Sequence, residues 1–273
     1  MADIAITVDG GTTKKLLTAG KYCDRNIVVT ATGGGGEPEP PQDGKTRLYI
    51  HVPPNSEPNR PPARNQVPLY IQQTVSRGVT IDWGDGSEPE ALEGTGKVNT
   101  THTYQEGGDF VITLEVAEGC ELGLGHNESS YCIVGKIARN GKSDSYVLRK
   151  VIIGYGVTSI GSYVFDSCYS LISAEILNPV ATIGVYAFGY CRSLISVTIS
   201  NSVTKISAYA FDSCYNIKEY HLKSISPPTL PSSNAFDGIP SDCIIFVPKG
   251  SLEAYQTATN WSTYADQMQE EPS

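Results

Sequence analysis

The sequence predicts a mainly β, multidomain protein: a small N-terminal β-module, a β-sandwich, and a short solenoid closed by a cap. Three observations carry this reading. Apolar residues recur at a fixed step of 23 residues, as in Phe165, Phe188 and Phe211, in Cys168, Cys191 and Cys214, and in Val157, Val180 and Val203. Such a repeat marks stacked turns, because only stacking buries the same apolar position again and again. Ahead of the repeat lie short alternating stretches separated by turn residues, the pattern of half-buried strands. Ahead of those, a glycine run followed by a proline-dense run divides the chain.

Residues 1–32 hold two β-rich runs, Ile4-Ala5-Ile6-Thr7-Val8, closed by Asp9-Gly10-Gly11, and Asn26-Ile27-Val28-Val29-Thr30-Ala31. A module this short cannot bury a core alone, so it is expected to dock on a partner or self-associate. Residues 33–45 are the linker: flexible Gly33 to Gly36, then stiff Glu37-Pro38-Glu39-Pro40-Pro41. Residues 46–117 read as a β-sandwich. Leu48-Tyr49-Ile50-His51-Val52, Leu69-Tyr70-Ile71, Val79-Thr80-Ile81-Asp82-Trp83 and Phe110 to Val116 are its strands, with a proline-dense loop from Pro53 to Pro62 and a tight turn at Gly84-Asp85-Gly86.

Three motifs in this segment carry a resemblance: Ile81-Asp82-Trp83-Gly84-Asp85-Gly86-Ser87, His102-Thr103-Tyr104, and Gly108-Asp109-Phe110-Val111-Ile112-Thr113-Leu114. In this order they resemble the PKD family of immunoglobulin-like domains. The resemblance implies a spacer or binding module, with Trp83 packed between sheets and Tyr104 at a strand corner.

Residues 118–225 read as the solenoid, with 118–147 as a degenerate entry turn. Three units align: Val157…Ile160…Phe165…Cys168…Leu171…Ile176, then Val180…Ile183…Phe188…Cys191…Leu194…Ile199, then Val203…Ile206…Phe211…Cys214…Ile217…Leu222. Leu148 and Ile153 begin a partial unit before them. In each unit two short strands flank a turn that looks helical, because Phe and Cys stand three apart and would share one face. The pattern resembles the leucine-rich repeats of the BspA type, a family associated with surface proteins that adhere to host cells or matrix. Residues 226–273 look like the cap that closes such arrays. Phe236 serves as a last repeat phenylalanine, and Ser251 caps a short helix to Thr257, with Leu252 and Tyr255 on its inner side.

Net charge is −9 and no basic cluster stands out, which argues against nucleic acid or an anionic membrane as partner. No apolar run approaches the roughly 18 residues of a membrane-spanning helix. Met1 to Gly10 lack the basic and apolar regions of a secretory signal. The protein is therefore expected to leave the cell by another route or to stay inside, or the sequence is a piece that lacks its signal.

No constellation for catalysis emerges. His51, His102, His126 and His221 fall in no HExxH motif and no nucleophile arrangement. The seven cysteines show no CxxC spacing, so no zinc site is expected. Cys168, Cys191 and Cys214 are expected as a buried thiol column, since stacked coils place them side by side with parallel side chains, poorly aimed for disulfides. Asp82 and Asp85 flank the sandwich turn and invite a calcium reading, against the alternative that they accept from backbone donors. No cofactor is expected.

Tyrosine is the suggestive surface residue, with 16 in the chain. Tyr163, Tyr186 and Tyr209 keep the repeat step and are expected to pack along the stack. The position after each cysteine carries Tyr169, Arg192 and Tyr215. It tolerates arginine, so it is expected to be exposed, and it is the candidate binding row.

The segment Lys15 to Ala31 resembles short stretches of bacteriophage structural proteins. The leading expectation is therefore a non-enzymatic virion protein, a tail or capsid fibre or decoration. Residues 1–32 would attach it to other virion proteins, and the repeats would touch a host-surface glycan or protein. A trimer is the oligomer expected of a fibre, and neither nucleic acid nor membrane insertion is expected. The alternative is a bacterial cell-surface adhesin of the BspA-like type, outside the cell.

Overall fold

The computed structural model of the chain describes residues 43–52, 65–125, 133, 137–139, 142–144, 148–177 and 179–272. The N-terminal module, most of the linker and the loop from Pro53 lie outside these residues, so the expectations placed on them are not addressed. Residues Pro41–Ser273 form one compact unit.

Alternation of apolar and polar residues sets the first strands. They are β1 (Thr46–Val52), β2 (Gln66–Gln73), β3 (Val79–Asp82), β4 (Glu90–Ala91), β5 (Gly96–Thr103) and β6 (Gly108–Val116). Then come β7 (Leu122–Leu124), a hairpin of β8 (Ile137–Arg139) and β9 (Lys142–Asp144), and the repeat strands β10 (Leu148–Ile153), β11 (Val157–Ile160), β12 (Ser173–Ile176), β13 (Thr182–Ile183), β14 (Ser196–Ile199), β15 (Lys205–Ile206) and β16 (Glu219–Leu222). The cap adds β17 (Ile244–Val247), helix α1 (Leu252–Thr257), a 3-10 helix (Ser262–Gln267) and β18 (Met268–Glu270).

Two sheets run through the whole unit. The larger has the order β18-β17-β16-β14-β12-β10-β1-β6-β3-β4, and the second has the order β15-β13-β11-β7-β2-β5. Repeat strands pair in parallel, so β10 through β18 climb in about five turns. The expected boundary at residues 117 and 118 falls inside both sheets. There β1 pairs antiparallel with β10, Leu48 opposite Val151, and β2 pairs antiparallel with β7, Ile71 opposite Leu124. Thr46 and Gly44 seal the seam: Gly154 N donates to Thr46 Oγ1 at 2.9 Å and Tyr155 N to Gly44 O at 2.6 Å.

The core lies between the sheets as one continuous cluster from Leu48 to Met268. Its inner column in the larger sheet is Val151, Ala174, Val197, Tyr220, Ile245 and Met268. Phe165, Phe188, Phe211 and Phe236 stack at centroid distances of 4.8, 5.2 and 5.3 Å. Phe236 thus continues the column despite its two-residue shift.

The turn that carries each phenylalanine is not helical. Tyr163, Tyr186 and Tyr209 have φ of 62°, 51° and 58°, and Ser167, Tyr190 and Ser213 have φ of 58°, 56° and 58°. Two left-handed residues per turn cannot continue a right-handed helix. The Phe–Cys spacing of three arises instead from a tight turn whose N–H groups reach forward to the next coil. Tyr163 N, Phe165 N and Ser167 N donate to Val185 O, Ala187 O and Gly189 O. These bonds over-determine a conformation that a side chain disfavours. In the fourth turn the second position is Gly238, at φ 71°.

In the first strand set, Trp83 is buried between the sheets, and the Tyr104 hydroxyl donates to Trp83 O at 2.9 Å. Gly84 has φ 75°, and a Cβ there would stand 2.5 Å from Val111 O. The turn therefore requires glycine.

The cap covers the last coil with aromatic rings. Trp261 Nε1 donates to Pro228 O at 2.7 Å and Tyr255 Oη to Ser224 O at 2.8 Å, while Tyr264 Oη donates to Ser233 O. Ser251 stands at the N-terminus of α1, but its hydroxyl donates back to Pro248 O and makes no cap bond. The expected cap is thus a turn closure. Tyr255 is buried and Leu252 packs against the core, as expected.

Among the described residues three buried oxygens have no partner, Asn65 Oδ1, Asn234 Oδ1 and the Tyr220 hydroxyl. Tyr220 is fully buried, edge-on to Phe211 and Phe236, and its hydroxyl has no partner. An unmade hydrogen bond of this kind costs about 1–3 kcal/mol. Tyr220→Phe is therefore expected to stabilise the protein by about 1 kcal/mol, raising Tm by about 2–4 °C in a unit of this size. A thermal melt in which Tyr220→Phe loses stability would show that the hydroxyl has a partner.

Candidate functional site

The candidate site is the edge where the turns between the two sheets stack. Three rows lie along it. The inner row is Tyr163, Tyr186 and Tyr209, half-buried, with centroid distances of 5.4 and 5.0 Å and planes 15° and 6° apart. The expected packing along the stack is present, and the rings face one another.

The second row is Ser167, Tyr190 and Ser213. Tyr190 stacks beside Tyr186, at 6.3 Å and 9°. Its hydroxyl bonds the carboxylate of Asp212, which also accepts from Ser213 Oγ at 3.2 Å. Asp212 is only 8% exposed. Burial, with Asp237 close by, holds its carboxyl above the usual range although the Ser213 and Tyr190 hydroxyls oppose this. Burial and the Asp212 charge in turn raise Tyr186, while for Tyr190 the Asp212 charge leads and burial follows.

The third row is the predicted one. Tyr169 is half-buried, while Arg192 and Tyr215 are exposed. The step of one coil brings Arg192 over the Tyr169 ring, with its guanidinium carbon 5.4 Å from the centroid. Tyr215 is not part of that pair. Its hydroxyl donates to Ser213 Oγ at 3.0 Å, and its ring edge lies beside Gly238. Asn216 Nδ2 donates to Arg192 O at 2.6 Å and ties the last two coils of the row. Tyr190 and Asp212 were missed by sequence reasoning. The available signal was Tyr190 standing where the other units carry serine.

Other candidates resolve locally. Asp82 accepts from Gly84 N at 2.9 Å, and Asp85 from Ser87 N, Ser87 Oγ and His102 Nε2 at 3.1, 2.6 and 2.7 Å. Burial tends to raise the Asp85 carboxyl, but the Ser87 and His102 bonds outweigh it and bring it to about 2. His102 stacks on Trp83 at 4.8 Å. His51 pairs with Asp109 at 2.7 Å and His221 with Glu271 at 3.0 Å; His126 lies outside the described residues. Among the described residues no three His, Cys, Asp or Glu side chains gather as a metal site. The repeat cysteines are buried and in no disulfide, with Cys191 Sγ 3.1 Å from Phe165 O and Cys214 Sγ 3.3 Å from Phe188 O. Burial pushes the Cys214 thiol up to about 12.

Residues 136–246 match the family described as BspA type leucine rich repeat region, in six copies. The solenoid is thus built of repeats of this type. No curated protein matches the chain. Among solved structures, the chain is similar to the pneumococcal vaccine antigen PcpA, at 14% identity and a TM-score of 0.28, over 55% of this chain and 44% of that one. It is also similar to a leucine rich cell surface protein from Faecalibacterium prausnitzii A2-165, at 18% identity and a TM-score of 0.24, over 54% and 37% of the two chains. The chain spans less than half the length of either.

Proposed function

We propose that this is a non-enzymatic binding protein that acts outside the cell as an adhesin of the BspA-like type, holding a host-surface glycan or protein on its repeat edge. The observation that carries the reading is the row of Tyr169, Arg192 and Tyr215, set on a hydrogen-bonded stack of BspA-type repeats. A rigid tyrosine offers contact area at low entropic cost, and arginine adds directional donors. Residues 46–117, with their resemblance to PKD domains, serve in this reading as the spacer. The acidic balance of the chain disfavours nucleic acid as a partner. The virion reading rests on residues 1–32, which lie outside the described residues, and the repeat match adds nothing to it.

The test is adhesion of the full chain to a panel of animal cells and matrix proteins. The triple variant Tyr169→Ala, Arg192→Ala, Tyr215→Ala is expected to lose at least about tenfold in affinity, as loss of aromatic and arginine anchors does, with Tm held within about 2 °C. Retained adhesion in a folded triple variant would remove this row from the binding surface. Turnover of a host glycan by the full chain would overturn the non-enzymatic reading.

A further inference from the structure

We propose that the inner tyrosine row, Tyr163, Tyr186 and Tyr209, together with Tyr190 and Asp212, is a track for a linear, uncharged glycan lying along the solenoid axis. The inference rests on the binding role proposed above and names the ligand class for that edge.

The first ground is strain. Tyrosine sits at left-handed φ at four places on this edge: Tyr163, Tyr186, Tyr190 and Tyr209. A bulky residue there is disfavoured, because its Cβ crowds the following carbonyl oxygen. At the second position the frame does not demand tyrosine, because Ser167, Ser213 and Gly238 serve it in the neighbouring coils. A bulky ring is kept at Tyr190 where small residues suffice, and all three left-handed first positions carry tyrosine, which marks the rings themselves as useful.

The second ground is geometry. The ring faces cover one another, so the edge presents phenol rims and hydroxyls at steps of 5.4 and 5.0 Å. Each hydroxyl both donates and accepts. An extended peptide repeats its same-face side chains at about 6.6 Å and falls out of step with such a row. A pyranose in an extended β-linked chain advances by about one strand spacing and stays in step, presenting hydroxyls that also donate and accept.

The third ground is charge. Asp166, Asp212 and Asp237 follow the stacked phenylalanines of their coils, and Asp212 is anchored by Ser213 Oγ and the Tyr190 hydroxyl. Half-buried Asp166 and exposed Asp237 can accept hydrogen bonds from sugar hydroxyls and repel acidic or sulfated polymers, while buried Asp212 orients the Tyr190 hydroxyl.

The experiment uses the full chain against linear oligosaccharides of β-linked glucose, of β-linked N-acetylglucosamine and of sialylated galactose, and against a lysine-rich peptide. One or both neutral chains are expected to bind, with little dependence on salt. Tyr186→Phe with Tyr209→Phe keeps the stacked rings and removes two hydroxyls, and is expected to weaken binding about tenfold at unchanged Tm. Tyr190→Ser, which restores the residue of the neighbouring coils, is expected to weaken it as well. Undiminished glycan binding by both variants overturns the track, as does preference for the sialylated chain. Binding of the lysine-rich peptide in its place, lost in Asp212→Asn, also overturns it. Adhesion to a protein ligand that is lost only in the Tyr169, Arg192 and Tyr215 variant overturns the glycan track and leaves the proposed function standing. Failure to bind any cell, matrix protein or glycan overturns both.

Discussion

Replacing Phe188 with alanine is expected to cost the Pro41–Ser273 unit about 3–5 kcal/mol. Phe188 is fully buried and lies between Phe165 at 4.8 Å and Phe211 at 5.2 Å. Cost at such a site depends on how far the surroundings can collapse into the space left. Here collapse is blocked by the backbone. Phe188 N is bonded to Ala210 O at 2.7 Å, and Phe165 N to Ala187 O at 2.7 Å, so neither neighbouring coil can move inward without breaking the ladder. In a stack, each coil is stabilised through the interfaces with its neighbours, and Phe188 contributes to two of them. Urea denaturation monitored by circular dichroism gives the free energy directly. A loss below about 1 kcal/mol would mean that the stack relaxes into the cavity, against the rigidity assigned to its hydrogen-bonded turns.

The features legible in the sequence are those that repeat. The columns of Phe, Cys and Val fix the pitch of the solenoid, and the pitch alone places Arg192 one coil from Tyr169, within reach of its ring. Exposure of Arg192 and Tyr215 was legible for the same reason, since a position that accepts both tyrosine and arginine does not belong in a core, whereas Tyr169 is half-buried beside the Arg192 guanidinium. The alternating runs located β1, β2, β3 and β6. Strand β5 escaped, because Gly-Lys-Val-Asn-Thr-Thr-His-Thr is polar on most of both faces, as expected of an edge strand.

Three further features were hidden for separate physical reasons. A spacing of three between Phe and Cys is shared by a helical turn and by a tight turn, and only the backbone angles distinguish them. The contact of Tyr190 with Asp212 joins different coils through a tyrosine that occurs once at its position, so no periodic signal marks it. The pairing of β1 with β10 joins strands about a hundred residues apart, and neither strand carries a mark of its partner. A break in composition at the linker was readable, whereas the absence of any break between residues 117 and 118 was not, because a change in repeat pattern looks the same whether or not the sheets continue.

That continuity leads to an outcome opposite to the one a chain of separate domains would give: residues 41–273 are expected to unfold in a single transition. Independent domains melt with their own midpoints and violate two-state behaviour. Here β1 is hydrogen-bonded to β6 on one side and β10 on the other, and β7 lies between β2 and β11, so both sheets must tear for the halves to part. Leu48 and Ile50 on one sheet, and Leu122 and Leu124 on the other, close the core at that end of the solenoid. Exposing such side chains costs about 1.5–3 kcal/mol each. A fragment starting at Leu148 would lose all four and leave β10 as an open edge, and is expected to aggregate or remain unfolded. In the intact chain, Trp83→Ala on one side of the seam and Phe188→Ala on the other are expected to lower the same midpoint, with calorimetric and van't Hoff enthalpies in agreement. Two resolved transitions, each moved by only one of these variants, would refute the continuous fold. In the proposed function a single transition has a counterpart, because residues 46–117 and the repeat edge are joined by two unbroken sheets with no hinge between them. The spacer would then aim the tyrosine rows in a fixed direction, and the ordering entropy that a flexible joint adds to binding would not be incurred.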